Sequence, residues 1–309
     1  MRIATWNVNS LAARLEKVTW WLERAQPDVL LMQETKLADA DVPREAFARL
    51  GYEVAHHGIG RWNGVAIASR QGVTDVLTNF GLPLAPPAPR SGDGTGDRDE
   101  DAQRPPDEAP DDQPLREPRM ISGVCGGGVR VVSLYAPNGR SVDSIYYKAK
   151  LAWFRRLHQW LVETRQPDEA LVLGGDFNVA PADPDVWDPA RCHGGTHVSP
   201  PERQAFAALL GWGLVDGYRR LHPEPERYSW WDYRAGMFHK NYGMRIDHLL
   251  VTAPIAHRIV GADIDREARK GKPIPSDHAP VVVDLDAPGR AIDAGWEGAT
   301  ARIAARRGR

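Results

Sequence analysis

"LVLGGDFNVAP", residues 171–181, is a short run of strand-forming aliphatic residues that meets two glycines and then delivers an acid, an aromatic and an amide. An unbroken apolar run of this length reads as a buried strand, so Asp176 and Asn178 stand where the strand stops. Such a stop is either a tight structural turn or the edge of a catalytic site, because Asx side chains serve both ends. Gly174 and Gly175 permit close approach of neighbouring backbone. Phe177, between the two polar residues, is expected to point inward.

Outward from this segment the chain alternates strands and helices. "RIATWNV" and "DVLLMQE" read as buried strands, and "LAARLEKVTWWLERA" between them carries apolar residues at helical spacing. "NGVAIAS", "RMISGVC" and "VRVVSLY" are β-rich runs, the last two joined by the glycines at 126–128 as a hairpin. "SIYYKAKLAWFRRLHQWLVET" and "PPERQAFAALLGW" read as helices, and "RIDHLLVT" and "HAPVVVDL" as the closing strands. No internal repeat is visible. Mixed order with hairpins predicts an α/β (α+β) fold of two packed sheets flanked by helices, rather than one doubly wound parallel sheet.

Composition bounds the function classes. The 309 residues, 42% hydrophobic and 26% charged, are enough for a substantial core. No apolar run approaches the roughly 18 to 20 residues that span a bilayer, and the first residues lack the pattern of a signal peptide, so a cytoplasmic location without a membrane partner is the expectation. Cys125 and Cys192 cannot form a framework of bridges. Cys192, His193 and His197 of "CHGGTH" read as a plain loop rather than a metal site. The net charge of −2 conceals an acidic, proline-rich stretch from 85 to 118 that holds ten acids against four arginines and leaves the other 275 residues at +4. With eight prolines and one large aliphatic residue, Leu115, that stretch is expected to be a disordered insertion in a single catalytic domain spanning 1–286. Residues 287–309, ending "ARIAARRGR", are expected to form a basic flexible tail.

Polar residues collect where strands stop. Asn7 and Asn9 follow the first strand, Glu34 the second, Tyr135 and Asn138 the hairpin, Asp176 and Asn178 the next strand, and Asp247 and His278 border the last two. Each alone has a turn or a cap as its plain explanation. Together, carboxylates and amides delivered to strand ends from separated segments suit a hard cation such as Mg²⁺, which takes oxygen ligands.

Eight motifs then carry a resemblance: "WNVNS", "QETK", "NGVAI", "LYAPNG", "GGDFN", "SWWDYR", "GMRIDHLL" and "SDHAP" stand in the order and approximate spacing of the exonuclease III and apurinic/apyrimidinic endonuclease family. The likeness covers about residues 1–286 outside the insertion. It implies a four-layer αββα sandwich of the deoxyribonuclease I type, and Mg²⁺-dependent cleavage of DNA phosphodiesters 5′ to abasic sites or inward from 3′ ends, with Mn²⁺ as a substitute metal. It implies a metal held by Glu34 with Asn7, and Asp277, Asp176, Asn178 and His278 close by. Tyr135 falls on a phosphate-contacting position. Asp176 falls on the acid that handles a proton, and Asn178 on the amide that orients the nucleophile. His278 matches a histidine that touches the scissile phosphate and pairs with an acid, here Asp247; which of Asp176 and His278 is the base stays open.

The same resemblance puts an abasic-sugar pocket at Trp230 and Met244, where a base-less deoxyribose fits and an intact nucleotide pays to unstack. Asn9, Lys36, Arg61, Asn63, Asn138, Lys148, Lys150, Arg234 and Asn241 are the candidate DNA contacts. The expected partner is double-stranded DNA with abasic sites or 3′ ends, bound by a monomer without an obligate protein partner. Two other classes compete: a phosphomonoesterase or phospholipase of the same superfamily, which would lack "SWWDYR", and a non-catalytic DNA-binding relative, which would have lost a catalytic group.

Overall fold

A computed structural model describes residues 1–84, 113–224, 227–297 and 299–307. Its strands are β1 (Arg2–Asn7), β2 (Val29–Gln33), β3 (Glu53–His57), β4 (Val65–Ser69), β5 (Thr74–Thr78), β6 (Met120–Cys125), β7 (Val129–Tyr135), β8 (Leu171–Asp176), β9 (Leu214–Asp216), β10 (Asp247–Thr252), β11 (Ile259–Ile264) and β12 (Val281–Leu285). They form two six-stranded sheets, ordered β11-β12-β1-β2-β4-β3 and β5-β6-β7-β8-β10-β9. Both sheets follow one plan that no sequence repeat announces: a central parallel pair, β1–β2 or β7–β8, flanked on each side by antiparallel strands.

A parallel pair needs a crossover, and a helix supplies each one. Helix α1 (Leu11–Ala25) joins β1 to β2; Ser10 caps it, and Leu11, Val18, Trp21, Leu22 and Ala25 form its buried face. A short α2 (Arg44–Ala48) precedes β3. Helix α3 (Ile145–Thr164) links β7 to β8, starting at the Ser144 cap and burying Trp153, Phe154, Leu157, Trp160 and Leu161. A one-turn α4 (Pro189–Cys192) and then α5 (Pro200–Gly211) follow β8. Four apolar clusters lie among the described residues: one under α1, one under α3, one between the sheets that includes Ile3, Leu31, Ile67, Val131, Val172, Leu249 and Val283, and a small one of Ala180, Val186, Val198 and Ile246. The order helix, sheet, sheet, helix is the expected four-layer sandwich.

The two glycines of the opening segment are explained by contact. A Cβ on Gly174 would lie 2.5 Å from Leu31 Cδ1 in the facing sheet, and one on Gly175 would lie 1.9 Å from the Leu134 carbonyl oxygen. Beside them a buried polar link joins the sheets, with Gln33 Nε2 donating at 3.0 Å to both Thr5 Oγ1 and Ser133 Oγ. Phe177 is fully buried, as its position suggested.

The helices and the long strands lie where periodicity put them. Four strands were not legible: β3, β5, β9 and β11. β5 is an exposed edge, β9 has three residues, and β11 is bulged between Ile259 and Gly261, so none presents a sustained apolar run. Two boundaries need correction. Of the stretch 85–118, residues 85–112 lie outside the described residues, whereas 113–118 are part of the fold. Gln113–Arg116 form a 3₁₀ turn, Leu115 packs on the cluster under α3, and the Glu117 carboxylate accepts from Arg119 at 2.7 Å and Asn63 at 3.2 Å.

The segment after 286 is likewise not a free tail in its described part. Arg2 Nη1 donates to the Arg290 carbonyl at 2.7 Å, Trp296 Nε1 donates to the Ile264 carbonyl at 2.7 Å, and helix Ala299–Arg307 buries Ile303. Apolar contact outweighs the basic composition that suggested a solvated arm. Trp296→Ala should therefore destabilise the protein by about 2 kcal/mol in urea unfolding, whereas a solvated tail would tolerate the change within about 0.5 kcal/mol.

Candidate active site

Register brings the strand ends together. Asn7 pairs with Gln33 in the parallel β1–β2 ladder, Tyr135 with Asp176 in β7–β8, and Asp247 with Asp176 across β8–β10. These positions open on one edge of the sandwich. The loop before β12 adds His278 there, fixed from below by Trp6, whose indole Nε1 donates to the His278 carbonyl at 3.0 Å.

Asn7 stands at the centre. Its Nδ2 donates to Glu34 Oε1 at 2.7 Å and to Asp176 Oδ2 at 3.0 Å, while its Oδ1 accepts from the Asn9 amide at 3.0 Å. Asn9 Nδ2 donates to Asp277 Oδ1 at 3.0 Å, and Lys36 Nζ donates to Asn9 Oδ1 at 2.8 Å and lies 3.2 Å from Glu34. Trp230 Nε1 donates to the second Asp277 oxygen at 3.0 Å. Asn178 is anchored by its own amide donating to Asp176 Oδ1 at 2.8 Å and by Nδ2 donating to the Ala136 carbonyl at 3.0 Å. Asn138 Nδ2 donates to Asn178 Oδ1 at 3.2 Å.

Protonation states follow from crowding. Asp176 is pushed up to about 7 by burial, with Asp247 and Glu34 adding to the effect and His278 opposing it. Glu34 is partly buried, and its desolvation would raise it, but the Lys36 ammonium, the Asn7 hydrogen bond and His278 together hold it below its usual range. For His278 burial alone would favour the neutral ring; Asp247 and Asp176 prevail and carry it up to about 10. Its Nδ1 lies 2.8 Å from Asp247 Oδ2 and its Nε2 3.8 Å from Asp176 Oδ2. A buried carboxylate that favours the imidazolium in this way is a recurrent functional arrangement.

The donor set suits a hard cation. Ligand atoms of Glu34, Asp176 and His278 lie within 4.8 Å of one another, the only such group among the described residues. Two of the three are carboxylates, and Asp247 Oδ1 is buried without a hydrogen-bond partner at the same edge. Glu34 and Asp176 offer the carboxylate oxygens that a hard cation prefers, and His278 a ring nitrogen beside them. Cys192 and His193 take no part.

The remaining candidates divide. Tyr135 is nearly buried, with the Arg119 guanidinium over its ring at 4.8 Å. Trp230 bridges Met244 on one side and His278 on the other, so both candidates for the sugar pocket adjoin the reacting centre. Arg61, Asn138, Lys148 and Arg234 are exposed, and Asn63 is partly exposed. Lys150 and Asn241 are corrections. Lys150 is wholly buried in an ion pair with Glu202, and Asn241 is buried with its Oδ1 accepting from Trp231 Nε1 at 3.0 Å, so neither side chain reaches a duplex.

His197, read from sequence as part of a plain loop, joins the site: its Nδ1 lies 2.6 Å from the Asn178 carbonyl and its ring centroid 6.5 Å from that of Trp230. Burial first, then Lys150, keeps it neutral, lowering it to about 4. Nothing in "HGGTH" marks it, because its partner lies 19 residues earlier.

The His278–Asp247 pair makes a pH prediction. A histidine raised from 6.5 to about 10 contributes stability that is fully present below 6.5 and lost as pH rises through 10. Asp247→Asn removes the leading anion, so ¹⁵N NMR should show the His278 imidazole titrating well below its wild-type value; an unmoved titration would contradict the pairing.

Comparison with known proteins agrees with this geometry. The family model described as Endonuclease/Exonuclease/phosphatase family matches residues 4–278. Exodeoxyribonuclease III of Haemophilus influenzae is 32% identical over 292 residues, covering 91% of this chain and 98% of that protein. Among solved structures, an AP endonuclease from Archaeoglobus fulgidus superposes with a TM-score of 0.78 at 34% identity, covering 93% of this chain and 100% of that one. The 3′ phosphatase NExo from Neisseria, solved bound to a product DNA hairpin, gives a TM-score of 0.78 at 39% identity with the same coverage. With a match that runs from β1 to His278 and takes in every strand end of the site, the chain belongs to the Endonuclease/Exonuclease/phosphatase family.

Proposed function

We propose that this protein is a DNA-repair hydrolase that cleaves phosphodiesters 5′ to abasic sites and removes groups from 3′ ends, using Mg²⁺ with Mn²⁺ as a substitute. The observation that carries the reading is the meeting of Glu34, Asn7, Asp176, Asn178, Asp247 and His278 from separate segments at one edge of the sandwich. The similarity to an exodeoxyribonuclease III, an AP endonuclease and a 3′ phosphatase supports the substrate class.

Each role follows from the protonation states. Glu34 and Asp176 would hold the cation, which when bound supplies Lewis acidity to the phosphate and the leaving oxygen. Asp176, whose Oδ1 accepts from the Asn178 backbone amide, takes the proton of a water that the Asn178 side-chain amide orients. The His278 imidazolium donates from Nε2 to a phosphate oxygen, with Nδ1–H tied to Asp247. The Tyr135 phenol gives a further phosphate contact. Trp230 and Met244 line the sugar pocket, and Arg61, Asn63, Asn138, Lys148 and Arg234 offer donors to the duplex backbone. The protein acts on this substrate as a monomer.

Asp176→Asn should slow single-turnover cleavage of an abasic duplex by roughly 10² to 10⁴-fold while leaving binding in Ca²⁺ intact. Near-normal turnover would return "GGDFN" to a structural turn. Glu34→Gln should weaken Mg²⁺ binding in calorimetry and depress cleavage, with partial rescue at high Mg²⁺. Wild-type metal affinity in that variant would place the cation elsewhere.

A further inference from the structure

Lys150 lies on α3, yet its ammonium faces inward and is completely buried. An ammonium has three N–H donors. All are used: at 2.6 Å on the Asn178 carbonyl, at 3.2 Å on the Asn138 carbonyl, and on the Glu202 carboxylate. Glu202, on α5, is equally buried. Its Oε1 also accepts from the His197 amide at 3.0 Å, and its Oε2 accepts from the Ser199 amide at 3.2 Å and the Ser199 hydroxyl at 2.5 Å. His197 meets the same Asn178 carbonyl through Nδ1 at 2.6 Å. A carbonyl only accepts, so Nδ1 carries the proton.

Stability does not account for this pair. Each charge loses its hydration on burial, and apolar replacements of buried pairs are often neutral or stabilising. An apolar side chain cannot, however, hold two carbonyls at one point. The carbonyls are those of Asn138 and Asn178, whose side chains are themselves joined at 3.2 Å, and Asn178 has a φ of 51°, a left-handed conformation that asparagine tolerates but that the surrounding bonds must hold.

We propose that the buried Lys150–Glu202 pair is a positioning device that clamps the Asn138 and Asn178 loops so that the Asn178 amide faces the reacting centre. The inference rests on the nuclease reading of that centre. Lys150 and Glu202 touch no substrate; they act through Asn178, with His197 as the third point of the clamp.

The double variant Lys150→Met/Glu202→Gln removes both charges at similar size. It should unfold in urea near the wild-type midpoint and still bind an abasic duplex in Ca²⁺, weakened no further than Asn138→Ala alone weakens it. Its single-turnover rate in Mg²⁺ should fall about tenfold or more. Adding Asn178→Ala to it should cost little further, because the clamp and the amide act as one unit. A wild-type rate, or losses that multiply, overturns the proposal. Should the double variant not fold, Lys150→Arg keeps the ion pair but cannot bring one nitrogen to both carbonyls; it should slow the rate with binding held to the same limit, and a wild-type rate overturns the clamp. A wild-type protein that leaves DNA intact overturns the nuclease reading instead. The clamp is then read separately by NMR, where the Asn178 amide and His197 Nδ1 resonances must shift in whichever of these variants folds, and unshifted resonances overturn it.

Discussion

The amide of Asn7 is the interaction on which the site depends. One nitrogen holds two carboxylates, Glu34 after β2 and Asp176 at the end of β8, and those strands belong to different sheets. The geometry therefore requires the sheets to meet at one fixed separation and register. Gly174 sets the separation, because a side chain there would collide with Leu31 of the facing sheet, while Gly175 leaves room for the Leu134 backbone of the neighbouring strand. The Gln33, Thr5 and Ser133 link sets the register behind them. A buried polar network with every member bonded specifies one arrangement where an apolar interface of the same size would tolerate sliding.

Charge is concentrated where the fold can least solvate it. Glu34, Asp176 and Asp247 crowd around one histidine: burial first, then the neighbouring carboxylates, raises Asp176 to about 7, and Asp247 and Asp176 raise His278 to about 10 against the effect of burial. Like charges at this distance invite a divalent cation, which would relieve their repulsion. The loops that carry them are also conformationally costly. Asn9, Glu34, Lys36, Asn63 and Asn178 all have positive φ, and residues held in that region are kept only where surrounding bonds over-determine them. Here those bonds run from Asn7, Asn9, Lys36 and the buried Lys150.

Around the centre the outer face divides into exposed cationic and aromatic side chains and buried side chains that hold the site from behind. Arg61 with its guanidinium over Trp62, and Arg140 over Tyr146, pair a cation with an aromatic at the surface, a combination suited to phosphate and sugar. Lys150 and Asn241 have the residue types of DNA contacts but belong to the supporting layer. Among the described residues no helix is long and apolar enough to cross a membrane.

The sequence by itself determined the layers and the chemistry of the edge. Apolar periodicity marked α1, α3, α5 and the long strands, and polar residues at the ends of those strands or bordering them marked Asn7, Glu34, Asp176, Asn178, Asp247 and His278, because local propensity and burial leave a local trace. Edge and bulged strands such as β5 and β11 leave none, since their pairing rather than their own residues makes them strands. Composition misjudged residues 113–118 and the described residues after 286, where Leu115 and Trp296 find apolar partners far away in sequence and Ile303 is buried. Only the tertiary structure decided which way a side chain on a marked element turns. It sent Lys150 inward to Glu202, 52 residues later, and brought His197 to Asn178. Such choices depend on hydrogen-bond partners that meet only when the two sheets and their helices have closed, so no window of sequence contains them.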